Sequence, residues 1–526
     1  MKRSFIIILT AYITFLSACY KDKGNYDYHD INDVQITGIA ASYTYVLGTD
    51  LHIEPKIQNK TNDTSANNYY WILTRGESTI IDTIGRSPVL DTRINVRAAD
   101  DYMLWLRVID KASGVAFKAS ARLIVSTLLS TGLLLIGTDD NSNAEAEFIS
   151  MVKDTVVFHN MLSKSGLPTL RDPVSFAMVG GRSDTNVNVI RLWVLTKSGS
   201  YYLDRNTMAG STSRKFANIC ITNEINRDAI TPIVVMPQVK DRAGNAGSSS
   251  TFTAITYCRA AITTDGDIFT THSLINGGDY YGNPINRLTT NYSKRFKAAP
   301  CFWYPIINYG ISASFMWFDT ENQRFLLYSS FAYDYSATMT DGATDIFSWN
   351  LASQNRTLVY GENTRNTDNG SANGNSFAIV KDNAGQHYIY KFYANGTAPV
   401  KRDLYTVSPI ATDFDKASFY AFSSKRPVIF YSVGNKLYAY DYNKGLEKSY
   451  QFPELSTDEI TMLKFDTQID GGTNALYVAT YNATTKGRLR RYIVGSNPNY
   501  VDITPVDRSD WDGLIKIKDM NWRGTN

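Results

Sequence analysis

Cys19 is the residue whose surroundings most clearly specify a reaction. It follows Leu16-Ser17-Ala18 and an apolar run from Phe5 to Leu16, with Lys2 and Arg3 ahead of it. A short apolar stretch behind a positive N-terminus reads as an export signal and is too short for a stable membrane span. Small residues at 17 and 18 fit a narrow peptidase site. A cysteine at the cleavage point marks a lipoprotein signal: its thiol takes a diacylglycerol, and its freed amine can take a third acyl chain. An ordinary secretory signal with a chance cysteine is the alternative. Two or three acyl chains hold a protein at a membrane far more firmly than one.

The remaining reactive residues form no comparable pattern. His29, His52, His159, His272 and His387 are scattered, with no His-Glu-x-x-His or His-x-His pair, so a zinc peptidase has little support. There is no Gly-x-Ser-x-Gly elbow, phosphate-binding Gly-x-x-x-x-Gly-Lys loop or sialidase Asp box. Asp139 to Glu145 offers oxygens at alternate positions but lacks the glycine and final glutamate of a calcium loop; it reads as a polar surface loop. Cys220, Cys258 and Cys301 match no zinc spacing and read as buried apolar thiols, with a single disulfide as the alternative. No cofactor, metal or catalytic residue is assigned. Paired carboxylates need only meet in space, so the sequence does not select two among its acidic residues.

Aromatic loops supply the ligand-binding candidates. Asn276-Gly277-Gly278-Asp279-Tyr280-Tyr281-Gly282-Asn283-Pro284 holds two tyrosines in a segment that glycine and proline make a loop, and Cys301-Phe302-Trp303-Tyr304-Pro305 is a second cluster. Tyr and Trp faces stack on sugar rings or peptide side chains while their polar edges tolerate water. Tyr280, Tyr281, Trp303 and Tyr304 are therefore the candidate contacts, with core packing as the competing reading for each.

The elements that must position these residues are strands. The 526-residue chain is 13% aromatic with 35 tyrosines, a composition that favours sheets. Loss of residues 1–19 removes two cations and no acid, leaving a nearly neutral chain and no electrostatic basis for nucleic-acid binding. Residues 20–33 are polar and aperiodic and read as a tether. Residues 34–126 alternate in the manner of a small β-sandwich, with Trp71, Met103 or Leu104, Leu106 and Val108 as core candidates. From 127 to 526, hairpins joined by Gly, Asn, Asp and Ser turns recur at intervals of about 40–60 residues, the signature of propeller blades. The expected fold is all-β: an Ig-like sandwich, then a seven- or eight-bladed β-propeller, with the last strand, Leu514 to Met520, completing the blade begun near Leu133. A stack of sandwiches is the alternative.

Asp101-Tyr102-x-Leu104-x-Leu106-x-Val108-x-Asp110-x-x-Ser113-Gly114 resembles the closing strands of PKD-type immunoglobulin-like domains, although Ile72, Leu73 and Thr74 stand where the usual Trp-Asp-Phe-Gly-Asp-Gly would continue. Together with the lipobox and Cys19-Tyr20-Lys21-Asp22-Lys23-Gly24-Asn25-Tyr26-Asp27-Tyr28, the arrangement resembles the PKD-like family lipoproteins of Bacteroidetes. The resemblance implies an outer-membrane lipoprotein, on the surface or periplasmic face. It also implies nutrient capture, of glycan or peptide, beside a TonB-dependent transporter and SusD-like partner. Non-catalytic binding is the expected function. A propeller hydrolase or lyase and a structural envelope subunit are the alternatives.

Overall fold

The computed structural model describes residues 33–60, 63–77, 79–96, 101–152, 155–179, 191–236, 258–272, 280–307, 314–328, 334–396, 398–453, 458–467 and 474–524. The signal at 1–19 with Cys19, and tether residues 20–32, lie outside them. The chain divides into two compact units between Ser126 and Thr127.

The N-terminal unit is built on a five-stranded sheet. Its order is Ser42–Val46, Ala116–Ser126, Asp101–Asp110, Asn67–Arg75, Thr79–Gly85, and Ser42–Val46 runs parallel to its neighbour. Gln35–Thr37 pairs with Lys56–Gln58, and Leu51–Ile53 with Leu90–Thr92. Side chains alternate across a strand, so one face of the sheet collects the apolar set. Tyr102, Leu104, Leu106 and Val108 are buried with Tyr69, Trp71 and Leu73. Leu104, not Met103, is the core residue of that strand. The Trp71 indole N–H donates to Ser87 O at 3.0 Å, which satisfies its polar edge. At the turn after Asp110, the carboxylate accepts the Ser113 N–H at 2.8 Å and its hydroxyl at 2.6 Å.

The C-terminal unit has the fold class of a β-propeller. Among its described residues are seven successive antiparallel sheets of three or four strands. The first is the only one drawn from both ends of the unit: Lys516–Gly524 pairs with Thr131–Thr138, Leu133 opposite Trp522. That final strand begins and ends later than the expected Leu514 to Met520. It approaches so closely that a Cβ on Gly137 would lie 2.1 Å from Lys516 O, at the bulge between Ile136 and Gly137. The expected hairpins are present, including Phe315–Asp319 with Arg324–Tyr328 and Val428–Val433 with Lys436–Asp441. Strands such as Phe315–Asp319 are buried along their whole length, because Phe315 and Trp317 pack into one apolar cluster and Met316 and Phe318 into another. They therefore read as continuous apolar runs, not as alternation. Among the described residues no helix is long and apolar enough to cross a membrane.

Candidate functional site

A cavity of about 440 Å³ opens where edge strands of five sheets and the segment 300–306 converge. Its wall comes from Pro232–Met236, the segment 300–306, Arg356–Asn363, Phe419–Phe422, Glu459–Phe465 and Lys516–Gly524. Bulges help to aim these strands. The register against the second strand shifts at Leu358/Tyr360 and at Ile460/Met462, and a bulge adds local twist and re-aims side chains.

Glu362 is the acidic centre of the wall. Its Oε2 accepts the Phe422 N–H at 2.9 Å and the Tyr360 hydroxyl at 3.2 Å. Burial pushes its carboxyl up to about 7, against the opposing pull of that N–H, the Tyr360 hydroxyl and the Lys464 charge. Burial, with Glu362 beside it, also raises the Tyr360 phenol well above its ordinary value. The Lys464 ammonium donates to Asp519 Oδ1 at 2.8 Å and to Met520 O at 2.7 Å. Lys518 is exposed and pairs with no carboxylate among the described residues; its ammonium lies 5.5 Å from the Phe419 ring centre. Apolar walls come from Val234, Met236, Phe302, Ile306, Phe419 and Phe465. Cys301 also lines the space, but burial pushes its thiol up to about 12, which keeps it protonated and unreactive.

The segment 302–304 is held in place by Asn363. Its Oδ1 accepts the Tyr304 N–H at 3.2 Å, and its Nδ2 donates to Phe302 O at 2.8 Å. Trp303 points the other way, into the core. It is fully buried, its indole N–H donates to Phe377 O at 3.0 Å, and its ring lies 5.0 Å from Phe325. Tyr304 is largely buried but does line the cavity.

Tyr280 and Tyr281 lie outside this cavity. Tyr280 is 49% exposed, whereas Tyr281 is 2% exposed. Tyr281 bridges to Cys220, its N–H donating to Ile219 O at 2.9 Å and its carbonyl accepting the Ile221 N–H at 2.7 Å. Its ring packs 4.8 Å from Phe216. The expectation of ligand-facing loop aromatics is thus corrected at Tyr281 and Trp303: both are core residues. Tyr281→Ala is expected to lose about 1.5–3 kcal/mol in a urea melt, and Tyr280→Ala less than about 0.5 kcal/mol. Equal losses would place both tyrosines in the same environment and contradict this difference.

Other sequence candidates resolve into local structure. Asp139 Oδ1 accepts the N–H of Asn141 at 2.9 Å and of Asn143 at 2.8 Å, so its carboxylate closes its own turn. Among the described residues no three His, Cys, Asp or Glu side chains gather as metal ligands. Cys220 and Cys301 are free thiols. The His272 side chain lies outside the described residues. Sequence reading missed Tyr360, Glu362, Lys464, Lys518 and Asp519, which come from three widely separated segments of the chain. The available signal was weak: a glutamate beside a glycine near the end of the strand Arg356–Asn363.

Residues 19–166 match the model of the PKD-like family. No curated protein matches the chain. Among solved structures, one similar chain is a quinonprotein alcohol dehydrogenase-like protein from Bacteroides thetaiotaomicron: 12% identity, TM-score 0.38, over 92% of this chain and 97% of that one. A protein from Lactobacillus plantarum aligns at 10% identity and TM-score 0.42, over 74% and 99%. The WD40 domain of SCAP from fission yeast aligns at 9% and 0.24, over 74% and 72%.

Proposed function

We propose that this chain is a lipid-anchored binding protein of the cell envelope. Cys19 carries the lipid, the PKD-like module spaces the propeller from the membrane, and the propeller captures part of a nutrient glycan or peptide. It does so at the outer membrane, beside a TonB-dependent transporter and its SusD-like partner. The observation that carries the binding role is the cavity of about 440 Å³, in which aromatic walls surround Glu362, Lys464 and Lys518. Its size and its mixture of apolar surface with a few polar groups suit a small-molecule site. The anchor rests on Leu16-Ser17-Ala18-Cys19 and the apolar run before it.

Cys19→Ala is expected to abolish acylation and to move the protein from the membrane to the soluble fraction. Membrane retention of that variant would refute the anchor. A second reading, a hydrolase or lyase working in the same cavity, is favoured by one observation: a carboxyl at about 7 in Glu362 suits a general acid or base near neutral pH. Turnover of a bound ligand, lost in Glu362→Gln with binding retained, would establish that reading; unchanged ligand recovered after incubation supports binding alone.

A further inference from the structure

The ligand class follows from which polar groups of the cavity are already engaged. Asn363 is engaged with the backbone at 302 and 304, and its Oδ1 also takes the Ser376 hydroxyl at 2.7 Å. Asn521 Nδ2 donates to Phe176 O at 2.8 Å and Asp519 Oδ2 at 2.9 Å. The Tyr420 hydroxyl donates to Phe414 O at 2.8 Å, the Tyr360 hydroxyl to Glu362, and the Tyr304 hydroxyl to Met236 Sδ at 3.7 Å. Among the described residues this leaves Glu362 Oε1, the Lys518 ammonium and the small hydroxyls of Ser418 and Thr467. These are too few to satisfy the ring of hydroxyls on a sugar, and each unpaired buried hydroxyl weakens binding. The walls are mainly apolar and aromatic, and they suit a hydrophobic body.

Charge selects the polar end of the ligand. Lys464 and Asp519 neutralise each other, which leaves the cation of Lys518 and the carboxyl of Glu362. We propose that the cavity binds a carboxylate attached to an apolar body, as at the C-terminal residue of a peptide, with the carboxylate at Lys518 and the hydrophobic side chain against Phe302, Phe419 and Phe465. This deepens the binding role proposed above and rests on it.

The groups facing Glu362 allow a pH signature. They are Tyr360, Lys464, Asp519 and Lys518, with Cys301 and Tyr442 nearby. Tyr360, Tyr442 and Cys301 stay neutral through the neutral range, because burial raises all three. Below about 7 Glu362 is protonated, the cavity carries one net positive charge, and it can donate to the ligand. Above that it is ionised and repels a carboxylate. Affinity for an acid is therefore expected to fall as pH rises through about 7, by at most roughly tenfold per pH unit for one linked proton.

The test is calorimetric titration of the mature chain with N-acetylphenylalanine, its uncharged amide, glucose and glucuronate, between pH 5.5 and 8.5. The acid is expected to bind at least about tenfold more tightly than its amide at pH 6. Lys518→Ala should erase that preference, and Glu362→Gln should bind the acid with no pH dependence. Equal binding of acid and amide, or preferential binding of glucose or glucuronate, overturns the ligand class and leaves the cavity as a binding site. Failure of all four probes to bind overturns both the class and the binding role of the cavity.

Discussion

Replacing Trp303 with alanine is expected to cost about 3–5 kcal/mol of stability, the range for deleting a large buried aromatic side chain. Trp303 is fully buried. Its ring lies 5.0 Å from Phe325 and 6.0 Å from Phe392, at tilted and edge-on angles that favour aromatic attraction. Gly361 backs onto it so closely that a Cβ there would lie 2.4 Å from Trp303 Cζ2, so the neighbouring strand is packed for this indole. Alanine would also leave Phe377 O without its N–H donor. Urea melts of the mature chain read the loss directly. A loss below about 1 kcal/mol with a large drop in ligand affinity would return Trp303 to the binding surface and contradict its place in the core.

Glu362→Gln is expected to change the pH dependence of stability more than stability itself at low pH. The folded chain holds this proton up to about 7, whereas an unfolded glutamate releases it near 4.5. The native state therefore binds more protons between those values, and stability must fall as pH rises through that window, then level off. The shift corresponds to roughly 3 kcal/mol at pH 8. Glutamine keeps an oxygen for the Phe422 N–H and the Tyr360 hydroxyl but cannot ionise. The variant should match the parent within about 0.5 kcal/mol near pH 4.5 and exceed it by roughly 3 kcal/mol at pH 8. Parallel stability curves for the two proteins would show that Glu362 is not held in the environment described.

How far the sequence reached depended on whether a signal was local. Tyr102, Leu104, Leu106 and Val108 declare their shared face by alternation, and Trp71 lies one strand away, so the N-terminal core was legible. Val433-Gly434-Asn435 marks a hairpin because Gly434 takes a positive φ of 61°, which glycine adopts without strain. The last strand could be matched with Leu133 because it is an apolar segment left over at the end of a series of hairpins.

The site was not legible for the opposite reason. Glu362, Lys464 and Asp519 sit on three different sheets and meet only because edge strands of those sheets converge. No short-range pattern encodes that meeting. Tyr281 misled for a related reason: its burial depends on pairing with 219–221, a segment distant in sequence. Trp303 and Tyr304 are adjacent, yet one fills the core and the other lines the cavity, as alternation along an extended segment requires.

The most direct measurement of the central claim is where a ligand binds. Ligand recovered from a mixed pool of peptides and oligosaccharides by equilibrium dialysis would be titrated into the mature chain, Phe419→Ala and Tyr280→Ala. Phe419 forms part of the cavity wall, and Tyr280 does not line it. Removing the wall ring is expected to weaken binding by roughly tenfold or more, while Tyr280→Ala binds as the parent does. Unchanged affinity in Phe419→Ala with a loss in Tyr280→Ala would place binding on the outer loop and contradict the cavity as the site.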